Sequence, residues 1–163
     1  MNPVLDSHIT LSDEAQVKLL YKQLLESWNK NNADEFAGHF ASNGTSIGFD
    51  GSQMNSQQEI NEQLLQVFSN HKVASYIGIV REVRALSPTV MVLRAVAGMV
   101  PPGQTEIKPE VNAIQTLIAQ KQGAPGRENF LIAVFQNTPA AFHGRPGLTR
   151  QLTEELQQAW NKK

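Results

Sequence analysis

The chain of 163 residues contains no cysteine. Without thiols it can form neither a disulfide framework nor a cysteine-based zinc site, and it has no thiolate nucleophile. An excess of charge is also missing, because 14 basic and 15 acidic side chains leave a formal net charge of −1. We therefore expect no nucleic-acid partner, since proteins that bind nucleic acid usually present a strongly basic face.

Long apolar runs are missing too. No stretch approaches the roughly 20 residues that a membrane-spanning helix needs. The opening residues MNPVLDSHITLSDE lack the basic segment and the apolar core of a secretory signal. We therefore expect a cytoplasmic protein with no membrane partner. The zinc-binding HExxH motif, the dinucleotide-binding GxGxxG motif and the P-loop are absent as well, so we expect no metal site and no cofactor.

What is present is the composition of an ordinary globular protein, with 40% hydrophobic and 18% charged residues. A chain of this length can bury roughly 70% of the surface that its unfolded form exposes, which is enough for one core. We therefore predict a single domain over residues 1–163, in which residues 1–11 are a loose lead-in.

Three helices are indicated by capping residues followed by apolar stripes. Ser12 can cap the first helix, and Ser56 with Glu59 forms a capping box at the start of another. Thr149 is the expected cap of a last amphipathic helix. In the first helix the apolar residues recur every three or four positions, which predicts one buried face: Val17, Leu20, Tyr21, Leu24 and Trp28.

The remaining elements are a short helix, a short strand and four long strands. Residues 33–40 are predicted to form the short helix and residues 42–50 the short strand. We place His39 on the polar, solvated side of this helix. Short connections between the long strands favour antiparallel neighbours, and helices grouped early in the chain must cover one face of the sheet. The prediction is thus a curved antiparallel α+β sheet, with long strands at 74–86, 89–100, 111–120 and 128–137.

Period-two alternation nominates polar residues that share strand faces with apolar ones. In the last strand it groups Ile132, Val134 and Gln136. We expect Arg94, Gln115 and Gln136 to line a cavity, where an arginine would bind an anionic oxygen. Asn137, next to Gln136, is expected to bind the ligand at the mouth of this pocket. The other interpretation is that the amides satisfy backbone groups and that the arginines pair with acidic side chains at the sheet edge.

Two residues are candidates for acid–base catalysis. Asp50 follows the short strand and could serve as a general base beside an apolar cavity, but Asp50-Gly51 is also a good turn in which the carboxylate caps backbone amides. His143 lies just after the last strand, near Asn137, and its ordinary pKa is close to neutrality. It could equally fix the loop before the last helix.

Four stretches resemble the nuclear transport factor 2-like superfamily, and in particular its SnoaL-like subgroup: WNKNNADEFAGHF, GMVPPG, NAIQT and QNTPAAFHGRP. The resemblance implies a cone-shaped α+β fold that encloses a pocket, with Trp28 and Phe40 among its ligand-binding residues. Members of the subgroup are often named oxidoreductases or polyketide cyclases. Because the superfamily includes enzymes of several kinds and members without catalysis, the fold does not assign a reaction.

Two functions remain open at this point. One is a cofactor-independent isomerase, cyclase or lyase acting on a small hydrophobic carbonyl compound, with Asp50 or His143 as the base. The other is a non-catalytic ligand-binding or dimerisation module. Apolar residues alternate on both faces of the strand at 89–100, so we also expect a homodimer that packs through the sheet.

Overall fold

Helices and strands follow one another in nearly the predicted order. The computed structural model describes residues 11–163, so most of the predicted lead-in lies outside the described residues. The helices are α1 (Asp13–Asn29), α2 (Ala33–Gly38), α3 (Gln57–Asn70) and α4 (Pro146–Asn161). The strands are β1 (Phe40–Ile47), β2 (Gln53–Met54), β3 (Ser75–Ser87), β4 (Val90–Val100), β5 (Ala113–Gln122) and β6 (Asn129–Pro139).

The helix starts follow from local side-chain chemistry. The hydroxyl oxygens of Ser12 and Ser56 each accept a hydrogen bond from the backbone N–H three residues on, at 3.1 and 3.0 Å, which confirms both predicted caps. The prediction for α4 is wrong, because this helix begins at Pro146 rather than being capped by Thr149. Proline suits the first helical position, where its missing N–H would have had no partner. No helix within residues 11–163 is long and apolar enough to cross a membrane.

All six strands form one sheet in the order β2-β1-β6-β5-β4-β3. The sheet is mixed rather than antiparallel as predicted, because β1 runs parallel to β6. These two strands are joined by most of the chain, so no short turn forces opposite directions on them. Their approach is close at Gly44, where an added β-carbon would lie 2.7 Å from the carbonyl oxygen of Ile132.

A β-bulge in β6 decides which of its residues face the helices. Ala119 pairs with Ile132 and Ile118 pairs with Val134, so Ala133 is an extra residue in β6. Beyond the bulge the alternation is reversed, and the predicted grouping of Ile132 with Gln136 is corrected. Phe135 and Asn137 follow Ile132 on the face toward α1–α3, whereas Gln136 is exposed on the opposite face.

Two hydrophobic cores lie on opposite faces of this sheet. The inner face, defined as the face covered by α1, α2 and α3, carries the larger core. The outer face is partly covered by α4, which packs on β3 and β4. Residues of the inner core include Val17, Leu24, Phe36, Ile60, Leu93, Leu117 and Ile132, and those of the outer core include Val96, Val100, Ile107, Leu152 and Leu156.

Candidate functional site

A cavity of about 470 Å³ lies between the inner face, the helices and the loop after β1. Its walls are mostly apolar and aromatic, as is usual for sites that hold small molecules. Polar groups are few, and they are contributed chiefly by the ends of β1 and β6 and by the loop after β1. The residues that line the cavity include Trp28, Phe36, Ser46, Phe49, Asp50, Met54, Gln63, Leu64, Val67, Tyr76, Met99, Phe135 and Asn137.

Trp28 is the centre of the aromatic wall. Its ring meets the rings of Phe36, Phe68 and Tyr76 edge to face, with centroids 6.1, 5.2 and 5.4 Å apart. The indole N–H donates to the carbonyl oxygen of Ala74 at 2.9 Å. Because its polar atom is satisfied by the backbone, the indole is fixed in orientation and offers the cavity an apolar surface. The structure therefore places Trp28 in the cavity wall, and its role in ligand binding stays a prediction.

The last turn of α1 is clasped to the start of β3 beside this wall. The side chain of Asn29 accepts from the backbone N–H of Tyr76 at 2.7 Å and donates to its carbonyl oxygen at 3.0 Å. This pair of bonds holds the Tyr76 ring against the cavity. Burial raises the pKa of the Tyr76 hydroxyl to about 12, so this group stays protonated at neutral pH.

A buried chain of hydrogen bonds runs from α1 to the cavity. The Tyr21 hydroxyl donates to Oε1 of Gln115 at 2.5 Å, and Nε2 of Gln115 donates to Oδ1 of Asn137 at 2.7 Å. Nδ2 of Asn137 then donates to the carbonyl oxygen of Ile47 at 3.3 Å. Tyr21, Gln115 and Asn137 are all buried. Gln115 thus lies behind Asn137, and only Asn137 reaches the cavity wall.

Tyr21 is the member of this hydrogen-bonded chain whose polar role the sequence did not predict. Its position in the apolar stripe of α1 indicated only a core residue. Burial raises the pKa of its hydroxyl, which therefore remains a donor. Gly78 makes room for it, because a β-carbon there would clash with the Tyr21 hydroxyl. The sequence did carry a signal, because a hydroxyl group and two amides fall on helix and strand faces that are otherwise apolar. Buried polar groups need hydrogen-bond partners, so such groups are expected to pair with one another.

Asp50 lies at the rim of the cavity but takes part in a turn. Its Oδ1 accepts from the backbone N–H of Ser52 at 2.9 Å. That hydrogen bond lowers the pKa of the Asp50 carboxyl below its usual value, and the residue is exposed. A carboxylate held ionised in this way is a weak base, because a good general base has a pKa near the working pH.

Two other predicted residues, His143 and Phe40, lie away from the cavity wall. His143 is exposed in the loop before α4, next to Phe142, whose φ of 44° places it in the left-handed region. Phe142 packs against the outer core, so this loop faces the opposite side of the sheet. Phe40 is fully buried and stacks on Phe36 at 5.6 Å, which places it behind the aromatic wall.

Arg94 and Gln136 lie together on the outer face rather than in the cavity. Glu82, Arg94, Thr116 and Gln136 are direct neighbours across β3, β4, β5 and β6, and we call this line the polar row. Arg94 donates to Glu82 at 3.0 Å. This is the ion pairing that the sequence left open as the other interpretation. It lowers the pKa of the Glu82 carboxyl, and a second bond from Arg84 contributes to the same shift.

His39 is a further correction, because it was expected to be solvated. Its Nε2 atom is buried without a hydrogen-bond partner in the described part of the chain, and burial lowers its pKa. It lies against a second, smaller cavity of about 300 Å³ between α1, α2 and β6. As for metals, no group of three or more His, Asp or Glu side chains within residues 11–163 could hold an ion.

Comparison with known proteins identifies the fold but no family. Neither a family profile nor a curated protein matches the sequence. A domain of unknown function from Nostoc punctiforme, with a cystatin-like fold, superposes with a TM-score of 0.74 at 22% identity, covering 92% of this chain and 98% of that chain. A nuclear transport factor 2-like protein of unknown function from Shewanella oneidensis gives a TM-score of 0.58 at 15% identity, covering 76% and 97%. The chain has the cystatin-like fold of these proteins.

The name of a third structurally similar protein refers to an enzyme. It is a ketosteroid isomerase-like protein from Erwinia carotovora atroseptica, with a TM-score of 0.59 at 12% identity, covering 81% of this chain and 99% of that chain. The predicted α+β cone with N-terminal helices on one face and a C-terminal helix is thereby confirmed. Likeness at such low identity concerns the fold alone, and the SnoaL-like subgroup stays a prediction.

Proposed function

We propose that the protein binds a small, uncharged and largely apolar molecule in the inner-face cavity. The observation that carries this proposal is the lining itself. The aromatic rings of Trp28, Phe36 and Phe135 form a wall of this cavity. Its buried polar side chains, Ser46 and Asn137, are both uncharged. Apolar surface buried in such a cavity contributes about 25 cal/mol per Å² to binding, whereas a charged group would lose its hydration there.

The catalytic alternative is the weaker of the two expected functions. Among the residues that line the cavity, Asp50 is the one carboxylate, and its hydrogen bond from Ser52 keeps it ionised at the rim. His143 is remote from the lining. Proton abstraction would need a base whose pKa is raised toward neutrality inside the cavity. A non-catalytic binding domain is therefore the function that this geometry supports best.

Binding can be measured through Trp28, because the only other tryptophan, Trp160, packs on the outer face and can be replaced by phenylalanine. In the Trp160→Phe protein, titration with the neutral ketone 2-acetylnaphthalene should quench the fluorescence of Trp28 with saturation. Val67→Phe should fill part of the cavity and weaken this binding at least tenfold. Leu65→Phe, a matched change at an exposed position of the same helix, should not. Equal affinity in both variants would contradict binding in this cavity.

The same ketone tests for catalysis, because its methyl protons are next to the carbonyl group. In deuterated buffer we expect the protein to leave the rate of methyl proton exchange, followed by NMR, at the buffer value. Asp50→Asn should then retain binding of 2-acetylnaphthalene. Exchange accelerated by the wild-type protein and lost in Asp50→Asn would instead establish Asp50 as a general base and favour the enzyme hypothesis.

A further inference from the structure

The buried chain of hydrogen bonds behind the cavity has a fixed direction, set at its end on β1. The carbonyl oxygen of Ile47 can only accept, and it lies 3.3 Å from the side-chain amide of Asn137. If the Asn137 amide were turned over, its own oxygen would face that carbonyl oxygen, and two acceptors would repel. The nitrogen of Asn137 must therefore be directed toward Ile47.

This direction is transmitted through Gln115 to Tyr21. With its nitrogen directed at Ile47, Asn137 presents Oδ1 to Gln115, which has to donate from Nε2 at 2.7 Å. Gln115 then presents Oε1 to the hydroxyl of Tyr21, which donates at 2.5 Å. Each group has the partner it needs. In the reverse direction the hydroxyl proton of Tyr21 would lose its acceptor inside the core, which is costly for a buried group.

We infer that this chain of hydrogen bonds makes Asn137 a hydrogen-bond donor toward the cavity. The bound molecule then presents an uncharged acceptor to Asn137, such as a ketone, ester or ether oxygen. The amide nitrogen of Asn137 carries two hydrogens. One is directed to Ile47, and the second is left for the cavity that Asn137 lines. The inference rests on the proposed function and narrows its ligand class.

Tyr21 is a positioning residue in this arrangement. It does not line the cavity, yet its hydroxyl proton fixes the orientation of the Gln115 amide and through it that of Asn137. Without that proton, Gln115 could turn over, and the acceptor of Asn137 would lose its donor. The preference of the cavity for a ligand with a hydrogen-bond acceptor should therefore depend on the Tyr21 hydroxyl, which is separated from Asn137 by Gln115 of β5.

A pair of isosteric probes measures the preference. In 2-isopropenylnaphthalene the carbonyl oxygen of 2-acetylnaphthalene is replaced by a CH₂ group of similar shape that accepts no hydrogen bond. In the full-length protein we expect 2-acetylnaphthalene to bind roughly tenfold to a hundredfold more tightly than the alkene, once each affinity is divided by the compound's partition coefficient between water and alkane. Asn137→Leu should bring the corrected ratio close to one.

Tyr21→Phe tests the positioning role, with Ser27→Ala as its control. Both variants remove one buried hydroxyl group from α1, but the Ser27 hydroxyl donates to the carbonyl oxygen of Leu24 and is not part of the chain. We expect Tyr21→Phe to reduce the ratio of the two affinities and to shift the side-chain NH₂ signals of Gln115 and Asn137 in ¹⁵N–¹H spectra. Ser27→Ala should change neither.

The outcomes separate the two proposals. If neither naphthalene binds, the proposed function is overturned and this inference falls with it. If both bind with equal corrected affinity to the wild-type protein and to Asn137→Leu, the cavity binds ligands but the inferred preference for an acceptor is wrong. If the preference exists but Tyr21→Phe leaves both the ratio and the NH₂ signals unchanged, the positioning role of Tyr21 is overturned.

Discussion

The buried imidazole of His39 makes stability depend on pH at the scale of a single residue. Burial disfavours the charged form and lowers its pKa below 6.5, an effect that nearby Glu35 opposes. The other polar groups at this cavity, the side chains of Gln16, Gln23 and Asn129, are neutral amides. Below pH 6.5 the unfolded chain takes up a proton that the folded chain resists, so the free energy of unfolding falls as the pH falls.

We therefore predict that His39→Gln loses less stability between pH 7.5 and pH 5 than the wild-type protein does. Urea unfolding at a series of pH values measures this difference. His71→Gln is the matched control, because His71 is exposed just after α3 and its replacement should retain the wild-type pH dependence. If the free energy of unfolding depended on pH in the same way in His39→Gln and in the wild-type protein, His39 would be accessible to protons in the folded state.

At the scale of one element, α4 is held mainly by apolar packing. Leu156 is fully buried among the outer-core residues, whereas the adjacent Glu155 forms a two-bond ion pair with Arg81 that is about 40% exposed. Removing a buried leucine side chain costs about 2–5 kcal/mol, and an exposed ion pair contributes roughly 0–1 kcal/mol. We predict a loss in that first range for Leu156→Ala and below 1 kcal/mol for Glu155→Gln in urea unfolding. Equal losses of stability in the two variants would contradict the conclusion that apolar packing holds α4.

The same scale shows what the sequence can predict. Ser12 and Ser56 mark helix starts because their hydroxyl groups cap local N–H groups, and these interactions are readable within four residues of chain. The face that Gln136 adopts is not readable in that way, because it depends on the Ala133 bulge. That bulge is set by the pairing of β6 with β5 and β1, which are distant in sequence. His39 escaped prediction for a related reason, since α1 and β6 bury it.

At the scale of the whole molecule, the outer face remains the expected dimer surface. The polar row crosses it between two apolar lines, and α4 packs on β3 and β4 rather than over the full sheet. Apolar strand surface of this kind commonly packs against another sheet. The apolar line on one side of the polar row is formed by Val92, Ile118 and Val134, and that on the other includes Val96 and Ile114.

We predict that the protein sediments with twice the mass of the chain and that Ile118→Glu shifts it to the mass of one chain. A charge placed in the apolar line would be buried without a partner in the dimer. Leu65→Glu, at an exposed position on α3, should leave the mass of the dimer unchanged. Sedimentation velocity distinguishes the two masses, and a wild-type protein found only as single chains would overturn the dimer.

The extra residue at Ala133 also bears on how such a cavity can change over evolutionary time. Ile132 and Val134 pair with the neighbouring residues Ala119 and Ile118, so the ladder already skips Ala133. Loss of this residue would remove the bulge and leave Phe135 and Asn137 on the inner face. A β6 that kept every residue but paired without the bulge would instead carry Gln136 into the cavity and Asn137 onto the polar row, because side chains alternate along a regular strand. A deletion of three nucleotides at Ala133 would therefore spare the amide that meets the ligand. In this fold, inheritance of ligand choice depends on where the strand pairing is interrupted rather than on the length of the strand.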